Sequence, residues 1–189
     1  MMELALAGVL MFGAAGVPGG FLPIESKELP SGWTASVQVS RGGALLINPC
    51  ERDRAADGGR VEQRSVFHYG EEQGEYQQLV VYKDALSAHR AMNGLRRDLA
   101  RCGGPGQGWD RYNRTFVKPL DLGDEGLRAG QRYFEGGSHT VAVRRGSALF
   151  IAGETAWPTR SLPINRFRDL TGQAEELLTK VCDLPEVTC

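Results

Sequence analysis

The sequence predicts an α+β fold, a single antiparallel sheet with flanking helices, stabilised by disulfides. Three observations lead there. Strand-like runs recur at short intervals with Gly-rich turns between them, so that consecutive strands lie antiparallel without crossovers. Two longer segments instead carry apolar residues at three- and four-residue steps, the period of an amphipathic helix. The four cysteines, Cys50, Cys102, Cys182 and Cys189, stand near the ends of such segments, with neither a Cys-x-x-Cys pair nor a Cys/His cluster to suggest a metal. At 189 residues the chain is long enough to bury one substantial core.

Residues 1–20 form an apolar N-terminal segment that carries Glu3, lacks a basic n-region and is shorter than a spanning helix requires. It reads either as the first domain helix or as a weak signal peptide ending near Ala14-Ala15-Gly16. Membrane anchoring is expected only through this segment. Residues 21–189 are assigned to one domain. Pro/Gly turns at Val17-Pro-Gly-Gly-Phe21 and Leu29-Pro-Ser-Gly-Trp33 each deliver an aromatic, and the second launches a strand over 33–40. Residues 55–59 read as a polar loop. Runs 61–69 and 76–82, rich in β-branched and aromatic residues, form a hairpin across the polar stretch 70–75.

Asp84 is an N-cap, and Ala85, Ala88, Ala91, Met92, Leu95 and Leu99 fall on one helical face opposite Arg90, Arg96, Arg97 and Arg101. Gly103-Gly-Pro-Gly106 ends that helix, which puts Cys102 in its last turn. A meander follows, with strands over 127–135, 139–145 and 148–154 joined at Gly136-Gly-Ser138 and Gly146-Ser147. A last helix, capped by Asn165, buries Leu170, Ala174, Leu177, Leu178 and Val181. Four cysteines permit three connectivities. Cys50–Cys102 with Cys182–Cys189 is favoured because each pairs neighbours without a crossing, and paired cysteines place the chain outside the cytoplasm, secreted or in the cell envelope.

With 22 Lys+Arg against 23 Asp+Glu and no basic run, the chain offers no phosphate-neutralising stripe, and nucleic acid is not an expected partner. Arg outnumbers Lys heavily, as in GC-rich bacterial genomes. His68, His89 and His139 share no metal-ligand spacing and read as structural. No nucleophile elbow, phosphate loop or dinucleotide fingerprint is present. Asp124 and Glu125, bounded by Gly123 and Gly126, read as a turn rather than a catalytic pair. No catalytic residue, metal or cofactor is therefore expected. Tyr69, Gln78 and Tyr82, with Tyr76, mix aromatic and amide groups on one hairpin and are the candidates for a polar-aromatic ligand cleft. Arg144, beside Arg145 before the Gly146 turn, is the candidate for an anionic group.

The aromatic-delivering turns, Cys50, Leu79-Val-Val-Tyr82, the Ala-rich helix closing at Cys102, Leu122-Gly-Asp-Glu125 and Val141-Ala-Val-Arg-Arg-Gly146 form an ordered series. That series resembles the PknH-type extracytoplasmic sensor domain of actinobacterial receptor kinases and its free-standing secreted relatives, from about Val17 to the last helix. The resemblance implies an antiparallel sheet with helices, and a cleft for an envelope ligand, without a catalytic motif. Against those receptors, no kinase domain or spanning helix is expected within these 189 residues, and the Cys182–Cys189 tail is an addition. The expectation is a non-enzymatic extracytoplasmic binding or sensor domain for a small molecule or cell-wall fragment. The alternatives are a secreted envelope hydrolase and a pocketless interaction module.

Overall fold

The computed structural model describes residues 16–50, 58–105 and 111–189. Its strands are β1 Thr34–Ser40, β2 Arg60–Tyr69, β3 Gly74–Tyr82, β4 Arg114–Pro119, β5 Glu125–Tyr133, β6 Gly136–Arg145 and β7 Ala148–Thr155, and its helices are α1 Ala85–Cys102 and α2 Arg168–Lys180. The expectations for residues 1–15, and for most of the loop at 55–59, lie outside the described residues. Among those described, no helix is long and apolar enough to cross a membrane.

The strands form one sheet in the order β1-β2-β3-β7-β6-β5-β4, every neighbour antiparallel. Two meanders, β1-β2-β3 and β4-β5-β6-β7, are thus joined where β3 pairs with β7. The fold is α+β, as the sequence predicts. Because the sheet is covered on both sides, its middle strands are apolar in consecutive positions rather than alternate ones. Leu79 and Val81 point into the layer containing Phe167, Leu170, Ala174 and Leu177, while Val80 and Tyr82 meet Ala88, Met92 and Leu95 of α1. The helices therefore lie on opposite faces.

Helix α1 starts as its cap dictates, with the Asp84 carboxylate accepting from the Ser87 amide at 2.6 Å. Its predicted stripe is buried except for Ala85, which is exposed in the first turn. Asn165 is not the cap of the last helix. It lies in a 3-10 turn, Ile164–Phe167, which precedes α2, and burial of the Phe167 ring sets that boundary. Gly136-Gly-Ser138 is not a turn either. Tyr133 pairs with Gly136, so Phe134 and Glu135 make the connection. Gly137 is there for close approach: a Cβ at that position would sit 2.4 Å from the Gln131 carbonyl oxygen and 2.8 Å from that of Ala156.

Both disulfides are as expected: Cys50–Cys102 at S–S 1.90 Å and Cα–Cα 5.5 Å, and Cys182–Cys189 at 1.95 Å and 5.7 Å. The first ties the segment before β2 to the end of α1. The second closes a tail that continues the sheet interactions, since the Ser147 amide donates to the Thr188 carbonyl at 2.8 Å. At the other terminus the Val17 amide donates to Glu62, and Glu25 takes both Nε and Nη2 of Arg64 at 2.7 Å. That paired guanidinium holds the Glu25 carboxyl below its usual range against the opposing effect of burial.

Candidate functional site

Tyr69, Gln78, Tyr82 and Arg144 share the α1 face of the sheet but do not converge. Tyr69 ends β2 opposite Gly74, whereas Arg144 pairs with Leu149 beside the β6–β7 turn. That separation is about 20 Å along the strands at ~3.4 Å per residue. Gln78 is 0% exposed; its oxygen accepts from the Leu46 amide at 3.0 Å and its nitrogen donates to Ser65 Oγ at 3.2 Å, which ties the 44–46 segment to the sheet. Tyr82, also 0% exposed, is packed under α1. Neither side chain has exposed surface, and both are taken up in the packing between α1, the 44–46 segment and the sheet.

Arg144 is committed internally too. Its Nε donates to Glu125 Oε1 at 2.6 Å, and its Nη1 donates to Asp124 Oδ2 at 3.0 Å and to the Gly146 carbonyl at 2.8 Å. Glu125 also receives His89 and Arg96. Burial pushes the Glu125 carboxyl up, but these donors overcome it and hold the pKa at about 2. The Asp124–Glu125 pair therefore locks β5 to β6 and α1.

The other face, at the Tyr69 end, is arranged differently. Cross-strand register there sets His68 against Glu75, Glu75 against Glu154, and Glu154 against His139, a row of four titratable side chains over four strands. His68 Nδ1 and Lys27 Nζ both reach Glu75, at 3.2 and 2.7 Å. The other half of the row is unpaired: among the described residues Glu154 and His139 make no hydrogen bond or ion pair, although His139 is only 7% exposed. The His139 ring stacks on Phe167 with centroids 4.6 Å apart. Burial, with Arg166 nearby, pushes the His139 pKa down; burial, with Asp169 and Glu75 nearby, pushes that of Glu154 up. In both cases burial is the leading cause of the shift.

The segment 156–163 packs on β5 and β6 beside the His139 end of this row. Glycines make room for it: a Cβ on Gly130 would lie 2.3 Å from Pro158 Cβ. The Ala156 amide donates to the Gly137 carbonyl at 3.0 Å, and Arg128 Nε holds the Leu162 carbonyl at 2.9 Å. Leu162 is fully buried at φ 43°, a left-handed conformation that a bulky residue adopts only when its surroundings impose it. Anchored this way, the segment presents Trp157, 63% exposed, at the rim of a cleft of about 560 Å³ lined also by His139, Glu154, Thr159, Pro163 and Arg166. A smaller cleft of about 180 Å³, with Tyr69, Tyr76 and Tyr133 in its wall, shares Glu154. Tyr69 is thus brought beside the site, while Gln78, Tyr82 and Arg144 line neither cleft.

A third cleft, of about 410 Å³ between the end of α1 and β4–β5, has amides already in use: Asn48 bonds Asp98 and the Cys50 amide, and Gln131 bonds the Ile47 carbonyl. Cys50, Cys102 and Asp98 bring three potential metal-ligand atoms within 4.8 Å, but the two sulfurs are bonded to each other. Glu154, Trp157 and Arg166 carried no sequence signal, and His139 reads there as structural. The β6–β7 pairing sets His139 against Glu154, but their convergence with Trp157 and Arg166 depends on a loop seated on two glycines, which leaves no local pattern.

No family model matches the chain, and no curated protein matches it. Among solved structures it is similar to the extracellular domain of PknH from Mycobacterium tuberculosis, at 11% identity and TM-score 0.48, over 81% of this chain and 84% of that one. It is also similar to an uncharacterized Mycobacterium smegmatis protein described as an Rv0999 ortholog, at 9% identity and TM-score 0.40, over 79% of this chain and 90% of that one.

Proposed function

We propose that this chain is a non-enzymatic extracytoplasmic binding or sensor domain that takes a polar small molecule or cell-wall fragment in the cleft beneath Trp157. One observation carries the reading: an exposed tryptophan lines the same cleft as two polar side chains, His139 and Glu154, that have no hydrogen-bond or ion-pair partner among the described residues. Concave sites with an apolar wall and a few convergent polar groups are the usual form of small-molecule sites. The disulfides support an oxidising compartment. Tyr69 extends the same site through the adjoining cleft.

The test is a thermal-shift screen of the purified domain against wall fragments and polar metabolites. A ligand that binds only the folded state raises the midpoint by mass action. The expected result is a saturable rise that Trp157→Ala abolishes and that Gln78→Ala leaves in place after correction for its lower starting stability. Turnover of a bound compound supports the hydrolase reading instead, and a screen without a Trp157-dependent shift supports an interaction module.

A further inference from the structure

The cleft beneath Trp157 contains two opposite charges that do not meet. Glu154 rises from β7, Arg166 descends from the 3-10 turn Ile164–Phe167, and both line the same space. Neither forms an ion pair within 4.0 Å, with each other or with any described residue. Long side chains of opposite sign that share one wall ordinarily close on each other. Here the two charges line one cleft and stay apart.

The two ends of the cleft differ in what they attract. At the Glu154 end, Asp169 and Glu75 add negative potential, offset by Lys27, which is itself paired with Glu75. A cation placed there relieves the cost of a partly buried carboxylate among other acids. At the Arg166 end a guanidinium fork is open to a carboxylate. Between them, Trp157 offers an apolar face and Thr159 a hydroxyl.

Resting on the binding reading above, we propose that the ligand is a zwitterion of amino-acid or short-peptide type, its ammonium on Glu154, its carboxylate on Arg166 and its carbon skeleton against Trp157. A volume of about 560 Å³ admits a dipeptide or tripeptide. Neutral sugars leave both charges unanswered, and a simple anion leaves Glu154 unanswered.

The experiment is calorimetric titration of the intact domain with alanyl-alanine and three blocked forms: N-acetyl-alanyl-alanine, alanyl-alanine amide, and the doubly blocked peptide. Maltose serves as a neutral probe. Each block should weaken binding by about tenfold or more, the loss of one charge-assisted contact. Glu154→Gln should weaken the free dipeptide and the amide but leave the N-acetyl form unchanged, and Arg166→Gln should do the converse. That crossed pattern is one a merely structural role does not produce. Equal binding of the doubly blocked peptide, equal losses across all probes, or no dipeptide binding at millimolar concentration overturns the zwitterion assignment. Maltose binding that Trp157→Ala removes overturns it while leaving the binding function intact. Circular dichroism confirms that the variants fold.

Discussion

Glu125 and Glu154 are carboxylates on strands of the same sheet, and their surroundings push them in opposite directions. Burial acts on both alike. Hydrogen bonds from His89, Arg96 and Arg144 reverse its effect at Glu125, whereas acidic neighbours reinforce it at Glu154. The native pKa of Glu125 lies below its ordinary 4.5, so its contribution to stability is complete above that value and is lost as the pH falls toward about 2. Glu125→Gln should therefore lower the unfolding midpoint at neutral pH, and the gap from the parent should close on acidification to about pH 2. A gap of constant size across that range would refute the ionic role. At this scale the sequence was partly legible. The acidic pair stood out, but its partners His89, Arg96 and Arg144 come from α1 and β6, and nothing local announces them. His139 was visible as a strand histidine; that its ring nitrogens have no hydrogen-bond partner among the described residues is a tertiary fact.

Among the elements, α1 shows what periodicity can deliver. Met92 and Leu95 are buried and Arg90 and Arg97 exposed because a period of 3.6 on a one-sided sheet contact leaves no other arrangement. Met92→Ala should destabilise by roughly 2–5 kcal/mol, and Arg97→Ala by no more than about 0.5, as read by chemical denaturation. An unchanged midpoint in the methionine variant would remove α1 from the core. The elements that escaped sequence reading escaped for physical reasons. Strand β4 is an edge strand with mostly exposed positions, two cationic residues and a terminal proline, so it lacks the alternation of a half-buried strand. The glycines of β6 resemble a turn because close approach and reversal both call for a missing Cβ.

For the molecule as a whole, antiparallel topology and the two disulfides follow from the order of runs and turns, but the joining of the two meanders does not. Short connections specify which strands are neighbours within a meander; only the matching of buried faces pairs β3 with β7. The disulfides contribute unequally because they close loops of 52 and 7 residues' separation. Replacing Cys50 and Cys102 with serine should cost about 4 kcal/mol, and replacing Cys182 and Cys189 about 2.5, in the chain-entropy account. Equal losses, compared by denaturant midpoints, would argue that strain or local contacts outweigh chain entropy.

The β3–β7 seam also orders events in time. Hairpins close within microseconds, but the seam brings together strands separated by all of α1 and three further strands, so it waits on a larger loss of chain freedom. Cys50–Cys102 keeps α1 tethered to the first meander meanwhile, which supplies a half-built face for the second to dock on. The row His68–Glu75–Glu154–His139 straddles that seam, two residues on each side. The Trp157 cleft, lined by residues between His139 and Arg166, lies wholly on the β7 side of that seam, so its lining does not wait on the docking step. Pulse-labelled amide exchange, with β3 and β7 protected after the hairpins, reads that sequence of assembly directly.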